Sequence, residues 1–281
     1  MNVTYFEQTA GSFLFFFLLL LVVVWIAQRN QFFKLPPPMG KPPVLWRHLA
    51  GAFLVYLAAA VLVAVMTRFI RNFPKRWDEW EQLVGLSFMF LVLVGYCFLM
   101  NSRTRHFIFW GEGKASLSRF WKTAGMGVIG WTVSYPFVLI SSFVTNLISK
   151  WLWGETESEQ VAVKHLKMTI GNTPLFVAMV FVIILIVPFI EEFLFRGLLQ
   201  NLLKRYLSRG WAITLTAVIF ACVHFSSSQG IMNFQLILSL LALSGFLGFI
   251  YERERTLWAS FGLHATFNAI NVIAITLSQS Q

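Results

Sequence analysis

The chain has 281 residues, of which 57% are apolar, 17% aromatic and 12% charged, and its net charge is +10. Its mean hydropathy is +0.69. Soluble domains carry about 25% charged residues, so a water-soluble globule is excluded. Disorder is excluded too, because there is ample apolar surface to bury.

Eight apolar runs follow one another, at about 12–27, 49–67, 83–100, 123–149, 173–200, 211–226, 234–251 and 256–278. Each approaches bilayer length. They are too continuous for the alternation of barrel strands, and a span must satisfy its own backbone hydrogen bonds. The expected fold is therefore all-α, a polytopic bundle of about eight transmembrane helices. The lipid bilayer is its surroundings, and a bacterial cell membrane is the expected location.

Before the first run, Met1 to Gly11 contains no Lys or Arg. A cleaved signal peptide needs a basic n-region, so this run is expected to stay as a helix. The linker from Arg29 to His48 holds Pro36, Pro37, Pro38, Pro42 and Pro43, which makes it extended and non-helical there. Loop 101–122 combines five basic residues with Trp110 and Trp121 and is expected to lie near anionic lipid. Segment 150–172 mixes Glu155, Glu157, Glu159, Lys164 and Lys167, as an interfacial helix or loop does. No internal repeat is visible. Two parts are expected: membrane helices with amphipathic linkers over 1–172, and a core over 173–278 that carries the chemistry.

The cations lie in short loops, so they report orientation. Loops 28–48, 101–122, 201–210 and 252–255 hold fourteen Lys and Arg, against seven in the alternate set. That places both termini outside the cytoplasm. A nucleic-acid partner is not expected, since the cations form no single patch with aromatic platforms. Cys97 and Cys222 both sit in apolar runs and read as small buried hydrophobes.

Ionisable residues inside a span are functional candidates, and here they fall in the last third of the chain. The fifth run holds Glu191, Glu192 and Arg196, the sixth His224, and the eighth His264 with Asn268 one turn later. Glu192 and Arg196 are four apart in the order that favours an ion pair. Glu191 is turned about 100° away and reads as the free carboxylate. Counting about 1.5 Å per residue from Lys204, Arg209 and Arg255, Glu191 lies about 20 Å deep, His224 about 22 Å, His264 about 13 Å and Asn268 about 20 Å. The spacing permits these groups to meet.

Two chemistries suit them. Glu191 and His224 can share a water and take its proton, while His264 and Asn268 donate to an oxyanion. Alternatively Glu191, His224 and His264 can hold Zn²⁺, which acidifies a bound water. Both end in hydrolysis of a carbonyl compound. Taken singly, each residue also has a packing explanation: an ion pair for Glu192–Arg196, a satisfied core histidine for His224, a helix–helix hydrogen bond for His264 with Asn268.

Together, Glu191-Glu192-Phe193-Leu194-Phe195-Arg196 (EExxxR), Phe220-Ala221-Cys222-Val223-His224 (FxxxH) and His264-Ala265-Thr266-Phe267-Asn268 (HxxxN) resemble the CPBP family, the CAAX protease and bacteriocin-processing intramembrane proteases. The resemblance covers about 173–278. It implies a bundle of eight membrane helices and endopeptidase cleavage in or near the membrane. It implies Glu191 and His224 as the water-activating pair, His264 and Asn268 around the oxyanion, and Glu192 and Arg196 at the remaining motif positions. It leaves metalloprotease and glutamate-protease mechanisms both open. The implied substrate is a peptide or protein, membrane-associated or lipidated. CAAX-type cleavage is made from the cytosolic side, whereas the loop charges put Glu191 nearer the opposite face.

Rival readings are weaker. An aspartyl protease needs two aspartates in spans, and Asp78 is the chain's one Asp. HExxH is absent. A serine–histidine pair from Ser244 and His264 lacks the Gly that opens a GxSG motif. A small-solute transporter often shows paired broken helices, and Pro136 and Pro188 show no such symmetry. A non-catalytic scaffold or bacteriocin-immunity protein of the same fold has no need to bury this polar set.

Overall fold

The computed structural model describes residues 3–70, 80–154 and 161–279. Arg71, Lys75, Arg76 and Asp78 of loop 68–82, and Glu155, Glu157 and Glu159 of segment 150–172, lie outside the described residues. Regular structure among the described residues is helical throughout. The helices are α1 (Val3–Arg29), α2 (Trp46–Ile70), α3 (Glu81–Leu99), α4 (Ser102–Trp110), α5 (Leu117–Trp153) and α6 (Val161–Thr169), followed by α7 (Thr173–Leu203), α8 (Arg209–Cys222), α9 (Met232–Glu254) and α10 (Leu257–Gln279). Seven of them, all but α4, α6 and α8, are long and apolar enough to cross a membrane.

Three expected boundaries shift. The run at 123–149 extends to the 37 residues of α5, about 55 Å at the α-helical rise. Ser116 starts it by accepting from the Arg119 N–H at 3.2 Å, and Gly154 ends it at φ +80°. The basic loop 101–122 contains α4, started by Asn101, whose side chain accepts from the Arg103 N–H at 2.8 Å. The expected sixth span, 211–226, is helical only to Cys222, a 14-residue helix of about 21 Å. Local polar groups stop it. Asn233 Oδ1 accepts from the Ser226 N–H at 3.0 Å, and its Nδ2 donates to the carbonyls of Ser226 and Gly230 at 2.7 and 3.0 Å. Such side-chain bonds compete with the helical ladder. His224 therefore lies in the turn beyond α8, and Cys222, expected to be buried, is exposed on the outer face of the last turn.

Helix α7 carries two wide π-turns, Val182–Ile186 and Phe193–Gln200, on either side of an α-helical piece, Val187–Glu192. Pro188 accounts for the first. It has no N–H and clashes with the carbonyl four residues back. The Val187 N–H instead bonds the Val182 carbonyl, and in that pattern Ile183's carbonyl has Pro188 as its partner, which has nothing to donate.

Two cores form. One joins Leu93, Cys97 and Ile108 to Val182, Ile190, Phe193 and Leu198 of α7; the other joins Val133 and Val138 of α5 to Leu243, Leu247 and Ile250 of α9 and Leu263 of α10. The parts 1–172 and 173–278 thus share both. Helices α5 and α10 touch backbone to backbone. A Cβ on Gly127 would overlap the Ala259 carbonyl, and one on Gly262 the Ala124 carbonyl. Small residues permit this approach in membrane helices.

One end of the bundle is a belt of cations that clasps the proline linker. Arg205 donates to the Pro42 carbonyl at 2.5 Å, Arg209 to Pro36 at 2.7 Å, Arg253 to Phe32 at 2.8 Å, and Arg255 to Pro37. Proline carbonyls in an extended linker have no helical donor, so the guanidinium groups satisfy them. Lys204 pairs with Glu252 at 2.7 Å. Burial pushes its pKa below the usual lysine range, and Glu252 works against that fall.

Candidate active site

Glu191 and Glu192 occupy the last turn of the piece Val187–Glu192, so they project in different directions. Glu192 is fully buried. Its Oε1 accepts from Arg196 Nη1 at 2.8 Å and from His264 Nδ1 at 2.9 Å. Arg196, equally buried, also donates through Nη2 to Ser244 Oγ at 2.6 Å and to the Ser244 carbonyl at 3.1 Å. Its guanidinium carbon lies 4.8 Å from the centre of the Phe220 ring. One ion pair thus joins α7, α9 and α10 and fixes the tautomer of His264, with its proton on Nδ1.

Glu191 faces the other side and keeps 20% of its side-chain surface. Its Oε1 is 3.6 Å from His224 Nε2, and its Oε2 is 3.5 Å from His264 Nε2. His224 is 30% exposed. Its Nδ1 donates to the Phe220 carbonyl at 2.7 Å, so this ring too presents Nε2 to the carboxylate. Phe220 forms a common wall, with its ring centre 4.7 Å from that of His224 and 6.1 Å from that of His264. The separations to Glu191 exceed the roughly 2.7–3.2 Å of a direct hydrogen bond.

Glu191, His224 and His264 come together from three segments. Asn268 does not join them directly. Its Nδ2 donates to the orphaned Ile183 carbonyl at 2.8 Å, two turns up α7 from Glu191. Straight α-helical counting placed Glu191 level with Asn268 and His264 shallower. The wide turns of Phe193–Gln200 climb less per residue and take up part of that difference. Three features of the site were not read from sequence: Ser244 as the acceptor for Arg196, the Ile183 carbonyl as the acceptor for Asn268, and Phe220 as a wall to both histidines. Only the last had a visible signal, the four-residue spacing of Phe220 and His224.

Residues 173–270 match the family model described as type II CAAX prenyl endopeptidase Rce1-like. That match supports the CPBP resemblance over this stretch. Helices α1 to α6 lie outside the match. Among curated proteins and among solved structures, no match is found. The seven long apolar helices, with the family match, support a multi-pass integral membrane protein.

Two alternatives bear on this site. The donors of Glu191, His224 and His264 are chemically suited to Zn²⁺, and each imidazole has its Nδ1–H on an acceptor, as metal-bound histidines do. Yet among the described residues no group of three or more His, Cys, Asp or Glu is arranged to hold a metal ion. Ser244 Oγ is engaged by Arg196 at 2.6 Å. Ser244→Ala is accordingly expected to cost about 1.5–3 kcal/mol of stability, as for a lost bond to a charged group, and to leave peptide hydrolysis in place. A folded Ser244→Ala protein without any hydrolysis would reinstate the serine as nucleophile.

Proposed function

We propose that the chain is an intramembrane endopeptidase in which Glu191 and His224 activate a water for attack on a peptide carbonyl. The observation that carries this reading is the partly open Glu191 carboxylate set between two imidazole Nε2 atoms at 3.5 and 3.6 Å. With both Nδ1 protons committed elsewhere, the facing atoms are acceptors, and a water or a shared proton suits the gap. Loop Val223–Ile231 supports access of water. Much of it is exposed chain without α-helical structure beyond a 14-residue helix, and such backbone at membrane depth lines water or protein.

In the proposed step, Glu191 takes one proton from water as the oxygen bonds to the carbonyl carbon. The oxyanion is met by His264 as the imidazolium, its Nε2 having taken a proton from solvent before the attack while Nδ1–H stays on Glu192, and by the second amide hydrogen of Asn268. The C–N bond then breaks, and the proton held by Glu191 passes, with His224 alongside, to the leaving amine. Glu192 and Arg196 hold the frame. The family match supports a CAAX-type substrate, a lipidated protein near its C-terminus, and a bacterial membrane remains the proposed location.

The test is hydrolysis of quenched-fluorescence peptides, prenylated and plain, by purified protein. General base catalysis contributes about 10²–10⁴-fold, so Glu191→Gln and His224→Ala should each fall by at least about 10². Undiminished hydrolysis by Glu191→Gln sinks the reading. Loss on chelation, restored by Zn²⁺, would move the chemistry to a metal-bound water.

A further inference from the structure

A cavity of about 770 Å³ lies between the proline linker and α4, away from Glu191. Its cations are Lys41, Arg103 and Arg105, with His106 and Trp110 beside them. Neither Lys41 nor the Arg103 guanidinium has a partner among the described residues. Arg105 reaches the carbonyls of Cys97 and Phe98 at the end of α3 only at 3.4 and 3.3 Å. The one acid on the lining, Glu112, is 61% exposed and lies 3.6 Å from Arg255 outside the cavity. The cavity is therefore a cationic hollow with spare donors.

Its position selects the ligand. It sits at the cationic end of the bundle, where α3 stops. Phe98 and Leu99, the last apolar residues of α3, are 71% and 85% exposed beside it. A phosphate in the hollow and two apolar chains running along α3 describe an amphiphile with an anionic head. We propose that this cavity binds the headgroup of an anionic phospholipid, with the phosphodiester between Lys41, Arg103 and Arg105. The wall behind it is the catalytic helix: the Phe109 ring of α4 stacks on Phe189 at 6.0 Å and Phe193 at 6.1 Å. The bound lipid thus braces the turn that carries Glu191 and Glu192.

The test is native mass spectrometry of the full chain, purified in detergent and titrated with phosphatidylglycerol or phosphatidylcholine, with inorganic phosphate as competitor. It reads binding and does not depend on peptidase activity. Wild type should retain phosphatidylglycerol in preference to phosphatidylcholine. Lys41→Ala/Arg103→Ala should weaken that retention about tenfold or more, since each surface cation adds measurable attraction to anionic lipid. Lys122→Ala, an exposed cation at the same end, is the control and should bind as wild type. Equal retention of both lipids, or unchanged retention by the double variant, overturns the proposal. Inorganic phosphate displacing the lipid at equal concentration overturns the two-chain ligand in favour of a bare anion site. A peptide carboxylate that binds there when the lipid does not assigns the cavity to substrate instead.

Discussion

Arg196→Met should destabilise the protein by about 3–5 kcal/mol, the cost of leaving a buried charge without its partner. Arg196 and Glu192 are both fully buried. The guanidinium donates to Glu192 and twice to Ser244, and it lies over Phe220. A methionine fills the volume and supplies none of these bonds, so the Glu192 carboxylate is left with His264 alone. Reversible denaturant unfolding in mixed micelles measures the change. Glu192→Gln in the same chain should recover much of it, because the amide is neutral and its oxygen still accepts from His264 Nδ1. A loss near zero in Arg196→Met would mean that the pair is solvated in the membrane and holds nothing together.

Asn268→Ala should cost about 1–3 kcal/mol, the penalty for an unsatisfied carbonyl, and Pro188→Ala in the same chain should restore most of it. The reasoning is local. In the π-turn the Ile183 carbonyl is paired with residue 188, which as proline has no N–H, and Asn268 Nδ2 takes its place at 2.8 Å. An alanine at 188 supplies the missing donor. Stability and hydrolysis measured on the two single variants and the double variant separate two roles. Recovered stability with recovered hydrolysis makes Asn268 a positioning residue. Recovered stability with hydrolysis still down by about 10²–10³ makes it an oxyanion donor as well. If Pro188→Ala restores no stability, the orphan-carbonyl account of this turn fails.

Much of this architecture is legible in the residue order, and the limits have physical causes. Long apolar runs announce spans because lipid forces helices. Glu192 and Arg196 announce each other because four residues make one turn. The meeting of Glu191, His224 and His264 was only permitted by the residue order, since it depends on how three segments tilt and how far each climbs. The stop at Cys222 was hidden because Val223 and Phe225 continue the apolar run, while the residue that holds the turn, Asn233, lies beyond it. Ser244 read as half of a rival serine–histidine pair because its actual partner, Arg196, is 48 positions away. The bond from Asn268 to Ile183 needs both a proline without an N–H and a neighbouring helix, and no single-helix pattern carries that.

The length of α8 has a consequence for the surrounding lipid. Its Trp211, Leu215 and Val218 are exposed along one side, yet its 14 residues reach only about 21 Å, against a hydrocarbon core of about 30 Å. By contrast α5, at about 55 Å, is longer than that core is thick. Hydrophobic mismatch of that kind is relieved by compressing the nearby leaflets, so the bilayer thins on the flank where His224 lies. A polypeptide there reaches headgroup water over a shorter distance than beside the bundle's long helices.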